Sequence, residues 1–241
     1  VELARKYCPR QKNAPALVNA MLRSAVRTLG AWQEPVSYAD RYSHPEALIA
    51  LLKQSLPKGK LEPMLIADNT IPPITIQVNT LKTSAPALEA SLTAHGITCA
   101  RHGWMRDCLI LSNAGSPEHL PEFRDGLFYV QDPASRLSVQ CAGLQEGWQV
   151  LDCCAAPGGK SFAACLSMKG TGKIISCDVY PHKAELIAAG ARRLGVDNIV
   201  PLCRDATQDR GDWAQAFDAV IVDAPCSGLG IIRKKPDIRY K

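Results

Sequence analysis

From Asp132 onward the chain alternates between helical segments and short apolar runs, and this alternation limits its fold more than any other feature. Helical spacing in "PASRLSVQCAGL" gives way to the apolar run "WQVLDCC", then to a helix opening at "GGKSFAACLSM". The exchange repeats through "KIISCDV", "HKAELIAAGARRLG", "NIVPLC" and "DAVIVDAPC". Short apolar runs separated by amphipathic helices predict a parallel sheet with helices on both faces, because parallel neighbours need a crossover and a helix supplies it. Ligands of such sheets bind beyond the carboxyl ends of the strands.

Those ends carry acids. The first strand closes on Asp152, and Asp178, Asp205 and Asp223 follow the next three. A carboxylate after the second strand can accept both hydroxyls of a ribose, which makes Asp178 a ribose candidate. Asp205 is a candidate acceptor for an adenine amine. Each acid alone also fits a loop-starting or helix-capping role; an acid at every strand end is the more specific signal.

The turn after Asp152, in "LDCCAAPGGKS", ends like a phosphate loop. A Walker loop would need glycine at position 154, which is Cys154, and a dinucleotide G-x-G-x-x-G is absent too. What remains is a run of small residues, Cys154, Ala155, Ala156, Pro157, Gly158 and Gly159, opening a helix at Lys160. Small residues admit a ligand close to the backbone, and a helix amino end favours a carboxylate. The methionine part of S-adenosylmethionine presents one.

The earlier residues read differently. "NAPALVNAMLRSAVRTLG" has one apolar helical face stopped at Gly30. "SHPEALIALLKQSLPKG" predicts a second helix, capped by Ser43 with Pro45 and Glu46 in its first turn, and "LEPMLIAD" a third, before Pro72-Pro73. "ITIQVNT" then alternates as a half-buried strand, followed by a helix closed by Gly96 and strands at "ITCARH", "CLILSN" and "GLFYVQ". The expected divisions are a helical segment 1–30, a helical linker 31–71, a small α/β module 72–128 and the alternating domain 129–241.

With 241 residues, 46% of them apolar, there is material for one large or two to three small cores. No run approaches the ~18 apolar residues of a membrane span, and no basic-then-apolar leader opens the chain, so a cytoplasmic location is expected. Because Val1 falls inside a helical run, the sequence reads as part of a longer one. Net charge +5 suits a polyanionic partner or a mildly basic enzyme of small molecules. The ten cysteines include no CxxC pair, so neither zinc nor a disulfide framework is expected and most should be buried small hydrophobes.

Four stretches, "CAAPGGK", "FYVQDPASRL", "DAPCSGLGIIRKKPDIR" and "HPEALI…PPITIQVNTLKTS", resemble the RsmB-type (Fmu/Sun) ribosomal RNA cytosine-5 methyltransferases, over essentially the whole chain. "APALVNAMLR" is similar to the end of the NusB-like RNA-binding domain that precedes the catalytic part in that family. The resemblance implies a Rossmann-like α/β methyltransferase domain, preceded by a small α/β RNA-binding module and the end of a helical NusB-like domain. It implies S-adenosylmethionine as cofactor, held by residues 154–160 with Asp178, Asp205 and Asp223, and ribosomal RNA as partner. A monomer is expected.

Carbon 5 of cytosine is a poor nucleophile. A thiolate adding to carbon 6 makes an enamine whose carbon 5 can attack a sulfonium methyl; a base then removes the proton and the thiol leaves. A protonated Asp223 near the ring N3 and amine can stabilise the charge that develops on the adduct, and Lys160 can orient the target or lower a thiol's pKa. In the family this chain resembles, the Pro-Cys cysteine assists product release and the attacking cysteine follows a threonine in a later Thr-Cys motif. Cys226 therefore carries over as the release cysteine. Thr98-Cys99, well upstream, is a coincidental match, and the attacking thiol is not expected among these residues, so the chain should bind cofactor and methylate poorly or not at all.

Arg233, Lys234, Lys235, Arg239 and Lys241 cluster just after the "DAPCSG" turn and are candidates for phosphate contacts, with Asn79 and Lys82 weaker ones. Three alternatives stand beside this function. One is a methyltransferase of an exocyclic amine or a protein, which usually has an Asn/Asp-Pro-Pro-aromatic turn where this chain has Asp223-Ala224-Pro225-Cys226. The others are a transfer-RNA cytosine-5 methyltransferase and a non-catalytic RNA-binding scaffold that keeps the cofactor pocket.

Overall fold

The computed structural model describes residues 1–31, 35–208, 211 and 213–240, which form two compact units. One is Val1–Thr70 together with the segment from Leu229 onward; the other is Ile71–Gly228. Among the described residues no helix is long and apolar enough to cross a membrane.

The first unit is helical: α1 (Glu2–Tyr7), α2 (Ala14–Thr28), α3 (Tyr38–Tyr42), α4 (Glu46–Ser55) and α5 (Leu61–Asp68). Helix α2 has Pro15 in its first turn and ends at Thr28; Gly30, expected to stop it, lies inside a 3-10 turn that continues over Leu29–Ala31. Its apolar residues Leu17, Met21, Leu22 and Val26 are more than half exposed, so its face has no cover among the described residues. Ser43 does not cap α4. It takes φ 54 and closes α3, leaving Pro45 to lead into α4. Arg239, read from the sequence as one of a phosphate-binding cluster, is buried instead. Its guanidinium donates to Ser43 O at 3.1 Å and Asp68 O at 2.9 Å, satisfying carbonyls at the ends of α3 and α5 that a helix cannot satisfy itself. Lys241 lies outside the described residues.

The second unit holds two sheets. The small module comprises β1 (Ile74–Val78), α6 (Ala85–Ala94), β2 (Thr98–Arg101), β3 (Cys108–Ser112), α7 (Pro121–Arg124) and β4 (Phe128–Val130). Its sheet is antiparallel in the order β2-β3-β1-β4. Ser84 caps α6 by accepting from Ala87 N, and Gly96 follows it at φ 78. Strand β1 is central, and the alternation that suggests one wet face misleads: Thr75 and Gln77 are buried as well as Ile76 and Val78. Both polar side chains donate to Gln131 O, at 3.0 and 3.3 Å, so their burial leaves no donor stranded.

The alternating part gives α8 (Pro133–Cys141), β5 (Gln149–Asp152), α9 (Gly159–Ser167), β6 (Lys173–Asp178), α10 (Pro181–Leu194), β7 (Ile199–Cys203) and β8 (Ala219–Ile221). All four strands are parallel, in the order β7-β6-β5-β8. The chain moves outward from β5 through β6 to β7, then returns to place β8 on the other side of β5. That reversal is the switch point at which such sheets bind ligands. Val150 and Ile174 are fully buried, packed in one core with Phe162, Ala163, Cys165 and Ile187. The opposite face differs from the sequence expectation. In register across it stand Val220, Leu151, Ile175 and Val200, and Val220 and Val200 are exposed, so this face is only partly covered among the described residues.

The two sheets meet at the end of α10. A helix leaves its last carbonyls without internal partners; here Leu194 O accepts from Asn79 Nδ2 at 2.9 Å and Arg193 O from Lys82 Nζ at 3.1 Å. Asn79 Nδ2 also donates to Gly126 O at 2.9 Å, and Arg193 Nη1 donates to Phe123 O and Phe128 O. Gly126 is required there: a Cβ would lie 1.9 Å from Arg193 O.

Candidate active site

Parallel pairing sends every strand's carboxyl end to one rim. Asp152 is opposite Ser176 and Ile221, so two residues further on Cys154 enters the turn between Asp178 and Asp223. Burial first, and then the charges of Asp178, Asp152 and Asp223, push the Cys154 thiol above its ordinary pKa. The three acids therefore converge, and the thiol among them is held protonated.

The turn is fixed by its backbone. Ala155 N donates to Cys177 O at 2.8 Å, Cys153 N to Ile221 O at 2.9 Å and Gly158 N to Ala155 O at 2.7 Å. Gly158, at φ 111, precedes α9, and no side chain caps that helix. The first amides of α9 thus lack the internal acceptor that N-caps usually provide. Gly158 also makes room for the Phe162 ring, which a Cβ would meet at 2.4 Å.

Asp178 is 7% exposed. Its Oδ1 accepts from Tyr180 N at 3.3 Å and pairs with Lys183 Nζ at 3.4 Å. Lys160 Nζ meets Asp223 Oδ2 at 2.5 Å, bridging the start of α9 to the segment after β8. Cys226 is exposed, three residues past Asp223. Asp205 carries the ordinary loop role: its Oδ1 accepts from Thr207 N at 2.9 Å and Thr207 Oγ1 at 2.7 Å, bonds that lower its pKa.

Asp152, which the sequence marks only as a strand end, lies at the floor of the rim, fully buried. Its Oδ2 accepts from Ser161 Oγ at 2.8 Å, and Ser161 Oγ in turn accepts from Ser176 Oγ at 2.7 Å; its Oδ1 has no partner. Desolvation pushes its pKa up to about 6, partly offset by Ser161 and Lys160. A raised carboxyl pKa means that the fold holds a proton the unfolded chain has released, so stability falls as pH rises toward and through 6. Between pH 5 and 7.5 Asp152 should cost the fold about 1.5 kcal/mol. Asp152→Asn should remove that part of the pH dependence in urea unfolding; identical slopes for the two proteins would contradict it.

Other sequence candidates are placed elsewhere. Asn79 is fully buried and its amide is occupied by two carbonyls, so it cannot contact RNA. Lys82 is exposed, but its ammonium is held by Asp125 O and Arg193 O, a junction role that removes the reason for nominating it. Arg233, Lys234 and Lys235 are exposed, with Arg233 Nε donating to Thr70 O at 3.4 Å. They belong to the helical unit rather than to the unit carrying the sheet, although the sequence puts them beside the "DAPCSG" turn. All ten cysteines are free, but only Cys108, Cys165 and Cys177 are buried, so the expectation that most are core residues fails. Cys99 lies in β2 against the small module's core, where burial raises its pKa. That suits a coincidental Thr-Cys pair.

A cavity of about 430 Å³ lies against the sheet's partly open face, lined by Leu151, Cys153, Cys177, Arg204 and Trp213 among others. A smaller one, about 290 Å³, is lined by Lys160, Val222 and Asp223 with residues of α8. Neither is lined by Gly158 or Asp178.

Comparison with known proteins bears on this rim. The family described as 16S rRNA methyltransferase RsmB/F matches residues 139–241, and the RsmF/B-like ferredoxin-like domain matches residues 44–117. Ribosomal RNA small subunit methyltransferase B of Vibrio cholerae is 34% identical over 227 residues, covering 93% of this chain and 52% of the relative. The probable ribosomal RNA small subunit methyltransferase B of Bacillus subtilis is 33% identical over 236 residues, covering 95% and 52%. A crystal structure of a methyltransferase homologue from Pyrococcus horikoshii superposes with a TM-score of 0.69 at 28% identity, covering 84% of this chain and 66% of that one. The chain spans about half the length of the curated relatives it matches. A ferredoxin-like module leads into a methyltransferase sheet, and each part is similar to the corresponding domain of the RsmB/F 16S rRNA methyltransferases.

Proposed function

We propose that this chain binds S-adenosylmethionine at the carboxyl rim of its parallel sheet and takes part in methylating carbon 5 of a cytosine in small-subunit ribosomal RNA. The observation that carries this function is the uncapped start of α9, opened by Gly158, beside buried Asp178 on the neighbouring strand. The residues fit the cofactor. Amides without a cap suit its carboxylate, Asp178 suits its ribose, and the unpartnered Asp152 Oδ1 leaves an acceptor in the floor. When bound, the cofactor supplies an electrophilic methyl group.

The chain's own residues do the rest. Cys154 to Gly159 shape the turn that holds the methionine end, and Asp178 accepts the two ribose hydroxyls. Asp205 would offer an adenine amine its Oδ2, which accepts from Gln208 Nε2 at 3.5 Å, because its Oδ1 is taken by Thr207 N and Oγ1. Lys160 holds Asp223 in position, and Asp223 accepts the cytosine amine while the lysine balances its charge. The raised pKa of Cys154 argues against that thiol as the attacker. Cys226, exposed after the same strand, is assigned to release of the methylated base.

In the full-length protein, Cys226→Ala should accumulate a covalent protein–RNA species on denaturing gels in the presence of S-adenosylmethionine. Loss of all adduct, with 5-methylcytidine still made by the parent, would make Cys226 the attacking thiol. A parent protein that yields methylated amine in place of 5-methylcytidine would contradict the carbon-5 assignment.

A further inference from the structure

The turn "RHGWMRD", Arg101–Asp107, connects β2 to β3 in the small module and takes no part in the rim. It is built to hold one shape. Met105 is 3% exposed and plugs the turn into the core. Its backbone N donates to His102 Nδ1 at 3.3 Å, and His102 N donates to Cys108 O at 3.0 Å. The His102 ring stands edge-on to Trp104, centroids 4.7 Å apart at 84°.

This fixed turn presents an indole to solvent: Trp104 is 65% exposed. A single exposed apolar side chain needs no explanation, but this one lines a cavity of about 430 Å³ together with Arg101, His102 and Arg106. Ala85, Pro86, Cys108 and Leu109 also line it. The acids nearby are Asp107, within the turn, and Glu89, whose carboxylate engages the Nε edge of Arg101 at 3.1 Å. An exposed aromatic face that shares a cavity with two arginines suits a base and its flanking phosphates. Single-stranded nucleic acid is held in this way, by stacking that any base can provide and by cations along its backbone.

We propose that the β2–β3 turn is a single-stranded RNA subsite, in which Trp104 stacks on an unpaired base and Arg101 and Arg106 take the flanking phosphates. It rests on the RNA substrate proposed above and adds the module residues that grip it, in place of Asn79 and Lys82. A target base must leave its stack to be methylated, and a neighbour stacked on Trp104 would keep the strand open.

The test is fluorescence anisotropy with a short fluorescein-labelled single-stranded RNA, at several salt concentrations, with S-adenosylhomocysteine binding measured in parallel. Trp104→Ala should weaken RNA binding about tenfold or more, while Trp104→Phe stays within about threefold because a ring remains to stack on. Arg106→Ala should lower the slope of log affinity against log salt by about 0.7. Binding of S-adenosylhomocysteine should be unchanged in all three variants. Unaltered RNA affinity in Trp104→Ala would overturn the proposal and leave the cofactor site standing. A parent chain that binds RNA but not S-adenosylhomocysteine, with the Trp104 effect intact, would sink the cofactor assignment and support this one.

Discussion

Asp178→Ala should weaken S-adenosylhomocysteine binding by about 100-fold or more in isothermal titration. A carboxylate accepting two ribose hydroxyls makes two charge-assisted hydrogen bonds, each worth roughly 1.5–3 kcal/mol, and the low exposure of Asp178 keeps solvent from replacing them. The substitution should spare the fold. Lys183, its ion-pair partner, has a side chain 39% exposed and can return to water at little cost. Asp178→Asn keeps one acceptor and should fall between, at about tenfold. Equal affinity in the parent and the alanine variant would remove Asp178 from the site.

Gly158→Ala should damage both the fold and the cofactor site. At φ 111 an L side chain is strained, at roughly 1–3 kcal/mol. The new methyl would also meet the Phe162 ring at 2.4 Å. The ring has nowhere to retreat, because a Cβ at Gly190 would likewise lie 2.4 Å from it, so the two glycines leave no slack on either side. Overpacking of this kind costs about 1–3 kcal/mol. Together these give a loss of about 3 kcal/mol and a Tm lower by roughly 10 °C for a chain of this size. Phe162→Leu in the same chain should recover the packing part but not the backbone part, and only a double-mutant cycle separates the two. A Tm within 1–2 °C of the parent, about the effect of an ordinary surface substitution, would mean that the turn before α9 is not held as described.

The alternating elements from α8 to β8 were legible because amphipathic helical segments separate apolar runs too short to be helices, and length decides where periodicity cannot. Caps such as Ser84 at α6 and Gly195, at φ 70 after α10, appear where short polar or small residues interrupt those patterns. The rim was legible for a related reason: parallel strands send their last residues to one side, so acids recurring at strand ends must share it. What escaped depends on contacts between distant residues. Nothing local to Asn79 shows that its amide will reach Leu194, 115 positions away. Arg239 sits in a run of exposed basic residues and differs from them only in meeting the ends of α3 and α5. Strand β1 alternates like a half-wet strand, yet its polar face is buried because Gln131 supplies the acceptor. Asp152 reads from the sequence only as a strand end, although it follows the same pattern as the other three acids. Its burial and its unpartnered oxygen are what set it apart, and both arise from packing.

A crystal structure grown with S-adenosylhomocysteine tests the cofactor rim most directly. The ligand's carboxylate should lie at the first amides of α9 and its ribose hydroxyls on Asp178. A ligand seated instead in the cavity lined by Cys177 and Trp213, with Asp178 untouched, would contradict the site.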